Sequence, residues 1–275
     1  MNLLWMLPAL VCYLAATAGF TLARTSDPDR WTHWGSIALG GGAVVHATVL
    51  ASSWMRAGNI QVTDLAESIS FLAWLTATAA LVLIVRWRLA VIGAFIAPLV
   101  LLASTISALT MRERSFRMPA ALRSAWLPVH VTLAFAGFAL FVLAAGVSVV
   151  YLAYERRLKT KRPSARTDDR TPSLEKLDRI NYRLLVLGFL MLSLAIVSGA
   201  LWADATWGHF WSWEPQESWS LVVWLMYAAL LESRLTAGWR GRRVAALTLV
   251  VFTVLIGSFV GVSLVTPGKH GGSFG

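Results

Sequence analysis

Eight stretches of this 275-residue chain are apolar over a length that can cross the hydrocarbon core of a bilayer, near 3–23, 36–55, 68–86, 89–110, 129–153, 182–202, 219–236 and 244–265. A spanning α-helix needs about 20 such residues. The chain therefore reads as an all-α integral membrane protein with eight transmembrane helices, a single polytopic domain over 1–275. Composition agrees: 57% hydrophobic residues against 14% charged, with a mean hydropathy of +0.64, is more apolar surface than one water-soluble domain of this size can hide. The first run has no charge before it and no small-residue cleavage site after it, so it reads as a spanning helix and not as a removable signal.

The net charge of +10 does not point to nucleic acid, because the basic residues sit in the short links between apolar runs, where they set topology and meet anionic headgroups. Eighteen Lys and Arg fall in the first, third, fifth and seventh links, against six in the other links and the tail. The positive-inside rule puts the odd links in the cytoplasm and both termini outside. The fifth link, 154–181, mixes both charge signs with Pro163 and Pro172 and reads as a flexible cytoplasmic connection. Within it, Ser173 to Arg183 has spacing that allows an amphipathic turn or two, with a solvated linker as the simpler reading. Cys12 is the only cysteine and lies in an apolar run, so the chain holds no disulfide of its own and no thiol-pair chemistry.

Between the sixth and seventh runs, on the outward side, the chain reads WADATWGHFWSWEPQESWSLVVW over residues 202–224. Six of the fourteen tryptophans are here, with Asp204, His209, Glu214 and Glu217 and no Lys or Arg. Two or three Trp at a helix end need only the anchoring belt at the membrane interface. Six rings interleaved with acids, Gly208 and Pro215 make a shelf that suits a large planar apolar ligand, and a porphyrin fits that description better than a sugar, nucleotide or ion. On the same side, Thr63, Asp64 and Glu67 precede the third run, where capping and the helix dipole account for them.

Histidine supplies the candidate iron ligands. His130 opens the fifth run on the outer side, and His270 lies in the outer tail. Singly each reads as an interfacial residue; together they give two imidazoles on the face that carries the shelf, as axial ligation of a porphyrin iron requires. His46, within the second run, is ionisable at membrane depth, where function or a hydrogen bond to a neighbouring helix would explain it. His209 lies within the shelf, and His33 sits beside Trp31 and Trp34 at the cytoplasmic side, where an interfacial role suffices.

The segment WGHFWSWEPQESWSLVVW resembles the tryptophan-rich WWD signature of heme-handling proteins of cytochrome c assembly, and most of all the CcsA (ResC) family. TDLAESISFLAW, LPVHVTLAFAGFALF and TPGKHGGSFG resemble flanking outer segments of that family, so the likeness runs from about residue 40 to the end. The resemblance implies heme b held between His130 and His270, with Trp207, Gly208, Trp211, Trp213, Glu214, Pro215, Glu217, Trp219 and Trp224 around the porphyrin. It implies a CcsB (ResB)-like membrane partner, an apocytochrome c with a CxxCH segment as client, a bacterial cytoplasmic membrane, and a place in a cytochrome c synthase (heme lyase). Glu214 stands where that family usually has Asp, and Glu232 where CcsA proteins commonly have a histidine, about 20 Å along the helix from Trp219. The second departure puts a transmembrane heme site in question and leaves the outer one intact. Two other readings stand beside it: a HemX-like membrane regulator of tetrapyrrole synthesis, and a heme or quinone transporter or chaperone without synthase activity.

The charge count makes a topological prediction. Alkaline phosphatase fused after Gly275 is expected to be active and the same enzyme fused at Ser164 inactive; the reverse pattern would overturn the assignment of sides.

Overall fold

The computed structural model describes residues 3–58, 60, 62, 65–111, 126–160 and 172–265. These form eight α-helices and one short 3-10 turn, with no strand among the described residues: α1 (Leu3–Leu22), α2 (Pro28–Ala57), α3 (Leu65–Trp87), the 3-10 turn Ala90–Ile92, α4 (Gly93–Thr110), α5 (Trp126–Lys159), α6 (Leu174–Trp207), α7 (Pro215–Leu235) and α8 (Arg242–Val265). By length and composition seven of the eight could cross a membrane. The remaining one, α7, carries Glu217, Glu232 and Arg234 and is correspondingly less apolar.

Short connections place successive helices antiparallel. The first four form one group, in which α1 packs on α2 and α4, and α3 on α2 and α4. The last four form another, in which α5 packs on α6 and α8, and α7 on α6 and α8. Helix α5 also packs on α3 and joins the groups. An aromatic cluster marks that junction: Phe71 of α3 lies 5.4 Å from Phe135 of α5, which meets Phe259 of α8 edge-on at 6.1 Å. Small residues let backbones approach, as lipid-exposed bundles require. A Cβ on Gly19 would stand 2.9 Å from the Gly35 Cα, and one on Gly188 2.7 Å from the Phe141 ring.

Several helices run further than the apolar runs alone suggest. Helix α2 starts at Pro28 because Asp27 caps it, accepting from the Asp29 and Arg30 backbone N–H groups, and Pro28 presets the first turn. The fifth link is shortened from both sides. Helix α5 continues to Lys159, and α6 begins at Leu174 behind Ser173, whose side chain accepts from the Lys176 N–H. The solvated-linker reading of Ser173 to Arg183 is thus replaced by helix. The reason lies in Leu177 and Ile180, which recur at helical spacing and are both buried.

At this end Asp178 closes the fold. Its carboxylate accepts two hydrogen bonds from the Arg234 guanidinium of α7, one of them at 2.9 Å, and a third from the Gly241 N–H in the turn before α8 at 2.9 Å. Arg234 also lies over the Tyr182 ring at 4.6 Å. With the two side chains only 11% and 15% exposed, this bidentate pair fixes α6, α7 and the α7–α8 turn to one another. Glu232 points away from it and is exposed.

Asp178→Ala is expected to destabilise the protein by about 3 kcal/mol, because it strands a largely buried guanidinium. The double variant Asp178→Ala, Arg234→Met is expected to recover much of that loss, read from thermal melts in detergent; equal melting of the single variant and wild type would show the pair to be inert.

Candidate functional site

The Trp-rich segment is mostly helix. Helix α6 runs through Trp202 to Trp207, and Gly208 ends it at φ 77, its N–H donating to the Asp204 carbonyl at 2.9 Å. Only 208–214 is loop before α7 starts at Pro215. Glycine adopts that left-handed cap without steric cost.

Glu217 shapes the loop. It accepts from the Ser212 N–H at 2.8 Å, the Ser212 hydroxyl at 3.2 Å and the Glu214 N–H at 3.3 Å. One carboxylate in the first turn of α7 thus satisfies backbone donors of the preceding loop, as a capping-box acid does, while Pro215 occupies the first helical position. This arrangement holds Trp213 at φ 58, a left-handed conformation that costs a bulky residue of order 1–3 kcal/mol. Its indole is 72% exposed, and Trp211 meets it edge-on at 5.9 Å.

His130 lies on the first turns of α5 and reaches this segment across the tight α5–α6 contact. Its Nδ1 is 2.8 Å from the Ala195 carbonyl oxygen. A carbonyl only accepts, so Nδ1 carries the proton, and in the neutral ring the lone pair is on Nε2. Anchoring one imidazole nitrogen on a backbone carbonyl orients the other, as in metal-ligating histidines. Gly199 makes room, since a Cβ there would lie 2.7 Å from the His130 ring. The ring is parallel to Trp202 at 6.4 Å and 11°. Trp202 meets Trp207 at 4.9 Å, and Trp207 stacks near His209 at 6.3 Å and 23°. A continuous row of rings thus runs from α5 to the tip of the α6–α7 turn.

Beside this row are polar atoms without hydrogen-bond partners among the described residues: Thr206 Oγ1, His209 Nδ1 and Trp211 Nε1, all buried. Such atoms cost about 1–3 kcal/mol each when left unsatisfied. An indole N–H only donates, so the group that completes the site offers acceptor oxygens.

The other sequence-predicted residues fall in several places. Glu214 and Pro215 lie at the start of α7, and Trp219 is on its first turns with 45% exposure. Trp224 is further along α7, donating from Nε1 to the Ser193 hydroxyl at 2.8 Å and packing on Phe189 at 5.2 Å. It is about 13 Å along the axis from Pro215. His270 lies outside the described residues, as do Thr63 and Asp64. Helix α8, however, ends at Val265 at the same end of the bundle as His130, since Phe259 packs on Phe135 and on Phe138 at 5.9 Å. His46 is fully buried, with Tyr13 Oη at 3.2 Å from Nδ1 and Ser70 Oγ at 2.9 Å from Nε2. Both of its nitrogens therefore link α2 to α1 and α3, which meets the hydrogen-bond need foreseen for it with hydroxyls in place of a carbonyl. His33 meets Trp34 edge-on at 6.0 Å. Gly199 and Ala195 escaped the sequence reading because their roles depend on which helix α5 packs against; only the small residues in SGALW hinted at a close approach.

Gly199→Ala is expected to displace the His130 ring and reduce retention of any iron ligand held there by about tenfold, the usual scale of a lost supporting contact. Helix stability should rise slightly, by up to about 1 kcal/mol. Absorbance of the purified variant and a thermal melt separate the two effects.

The sequence and the fold both have known relatives. Residues 62–270 match the family model described as cytochrome C assembly protein. The cytochrome c biogenesis protein CcsA of Prochlorococcus marinus (strain NATL2A) is 33% identical over 244 residues, covering 79% of this chain and 78% of its own. CcsA of Synechococcus sp. (strain CC9902) is 32% identical, with 80% of each chain covered. CcsA of Chlamydomonas reinhardtii is 33% identical over 245 residues, covering 86% of this chain and 68% of its own. Among solved structures, cytochrome c heme lyase CcmF shares the fold, with a TM-score of 0.64 at 16% identity over 94% of this chain; the chain spans 47% of CcmF. The chain belongs to the CcsA family of cytochrome c assembly proteins.

Proposed function

We propose that this cytochrome c assembly protein holds heme b at the Trp-rich turn and presents it for attachment to an apocytochrome c. The observation that carries the reading is the setting of His130: Nδ1 is anchored on the Ala195 carbonyl, Gly199 leaves space for the ring, and Trp202 lies parallel to it. His270 is the second ligand. From Val265 to His270 is five residues, a reach of up to about 18 Å, and α8 ends at roughly the level of His130.

The aromatic row and the displayed Trp213 provide an apolar plane, with Trp207, Trp211 and Trp219 as its further walls. The unpartnered Thr206, His209 and Trp211 atoms suit acceptor oxygens such as carboxylates. Glu214, Pro215, Glu217 and Gly208 act by holding the turn, and Trp224 by fixing α7 on α6. Heme, when bound, supplies the vinyl groups to which the CxxCH thiols add. The protein's share is ligation, orientation and exclusion of water. The basic-residue count favours an outward-facing turn and outward termini in a bacterial cytoplasmic membrane, with a CcsB-like protein as partner. One observation favours the HemX-like regulator instead: Glu232, at the position where CcsA proteins commonly carry histidine, is exposed and has a carboxylate in place of an imidazole. A cytochrome c stain of membranes from a deletion strain separates the two, since only the assembly role abolishes the stained bands.

His130→Gly and His270→Gly are each expected to lower copurifying heme and to open an imidazole-sized gap. Added imidazole should restore much of the heme and of cytochrome c maturation, whereas His33→Gly should behave as wild type. If both glycine variants keep a bis-histidine optical spectrum, the iron ligands lie elsewhere.

A further inference from the structure

At the opposite end of the bundle, a cleft of about 290 Å3 opens between the last residue of α3, Trp87, and the first turns of α6. Its α6 wall is formed by Lys176, Arg179, Ile180 and Arg183, with Glu175 at the edge. Their spacing of three and four residues puts them on one stripe of the helix. Arg183 lies over the Trp87 ring at 5.8 Å. Among the described residues the only carboxylate of the lining, Glu175, pairs with Arg179 at 2.6 Å, and both are well exposed, so the pair neutralises little. Asp178, the nearest other acid on this part of α6, is committed to Arg234 and Gly241. Three cations therefore face one space with a surplus of positive charge, which on one helix face is unfavourable unless an anion sits between them.

Depth selects the anion. Trp87 ends an apolar helix and Arg183 precedes the apolar stretch of α6, so the cleft lies at headgroup level, where Trp belongs. The stripe then continues along α6 as Leu187, Leu190 and Leu194, all exposed on the outer surface of the protein. Cations at the head and leucines below form one strip that matches a lipid with a charged phosphate and acyl chains.

We propose that this cleft binds the phosphate of an anionic phospholipid, held by Lys176, Arg179 and Arg183 against Trp87. The lipid fixes the start of α6 to the end of α3, and on the charge assignment it belongs to the cytoplasmic leaflet.

Native mass spectrometry of the full-length purified protein with added phosphatidylglycerol or phosphatidylcholine tests this. The wild type is expected to retain phosphatidylglycerol preferentially. Each of Lys176→Gln, Arg179→Gln and Arg183→Gln should weaken retention roughly fivefold, and Arg183→Lys, which keeps the charge, should lose less. Arg157→Gln, at the same end but outside the cleft, should change nothing. Thermal melts in phosphatidylglycerol accompany every variant, so that a misfolded protein is recognised and the Lys substitution decides. Equal retention of the two lipids, wild-type retention by the triple Gln variant, or displacement of the lipid by millimolar inorganic phosphate overturns the proposal. So does a loss of copurifying heme with lipid retention unchanged, which would make the cleft a porphyrin carboxylate contact. Heme binding at His130 is scored separately by absorbance, so failure here leaves that reading standing.

Discussion

At membrane depth no water is available to satisfy a polar group, so each one must find its partner inside the protein. The architecture follows from how that requirement is met. His46 joins three helices through the Tyr13 and Ser70 hydroxyls. Trp74 donates to the Ala43 carbonyl and Ser107 to the Ala66 carbonyl, tying α3 to α2 and α4. Asn181 donates to the Ser148 and Thr248 hydroxyls and so draws α6, α5 and α8 together. Such bonds are worth about 0.6 kcal/mol on average. They specify register more than they stabilise, because a helix slipped by a turn would leave a donor in hydrocarbon.

His130 obeys the same rule with a different outcome. One of its ring nitrogens is spent on a backbone carbonyl, and the other is aimed by that bond. His46 spends both nitrogens within the bundle, on the hydroxyls of Tyr13 and Ser70. Sequence position alone puts the two on equal terms; their partners distinguish them, a backbone carbonyl of α6 for His130 and hydroxyls of α1 and α3 for His46. The Trp-rich turn is built in the same manner: Glu217 takes up the loop donors, so the backbone can carry the strain at Trp213.

Eight apolar runs, the Trp cluster and the histidine at the start of α5 were legible because they depend on local composition and spacing alone. Helix ends were less so. Asp27 and Ser173 extended helices into polar sequence through caps, and Leu177 and Ile180 fixed the start of α6 by contacts made with other helices. The tryptophans read as one shelf from 202 to 224, yet helical geometry divides them: Trp202 and Trp207 finish α6, Trp211 and Trp213 form the turn, and Trp224 is set well below it beside Phe189 and Ser193. A window of sequence counts rings without regard to depth. Glu214 and Glu217 read as ligand contacts through the resemblance, whereas their local geometry is that of a helix start. Asp178 had no sequence signal at all, since its partners Arg234 and Gly241 lie 56 and 63 residues away.

The two ends of the bundle are built from different interactions, and the difference has a mechanical consequence. At the Asp178 end, a bidentate ion pair and a backbone N–H join α6, α7 and the α7–α8 turn at fixed geometry. At the His130 end one hydrogen bond, from Nδ1 to the Ala195 carbonyl, stands beside ring faces and edges 4.9 to 6.4 Å apart, contacts less directional than a bidentate pair. Helices α6 and α7 are therefore clamped at one end and joined at the other by a seven-residue turn that Glu217 keeps in shape. Helix α5, which carries His130, is packed on α3, α6 and α8.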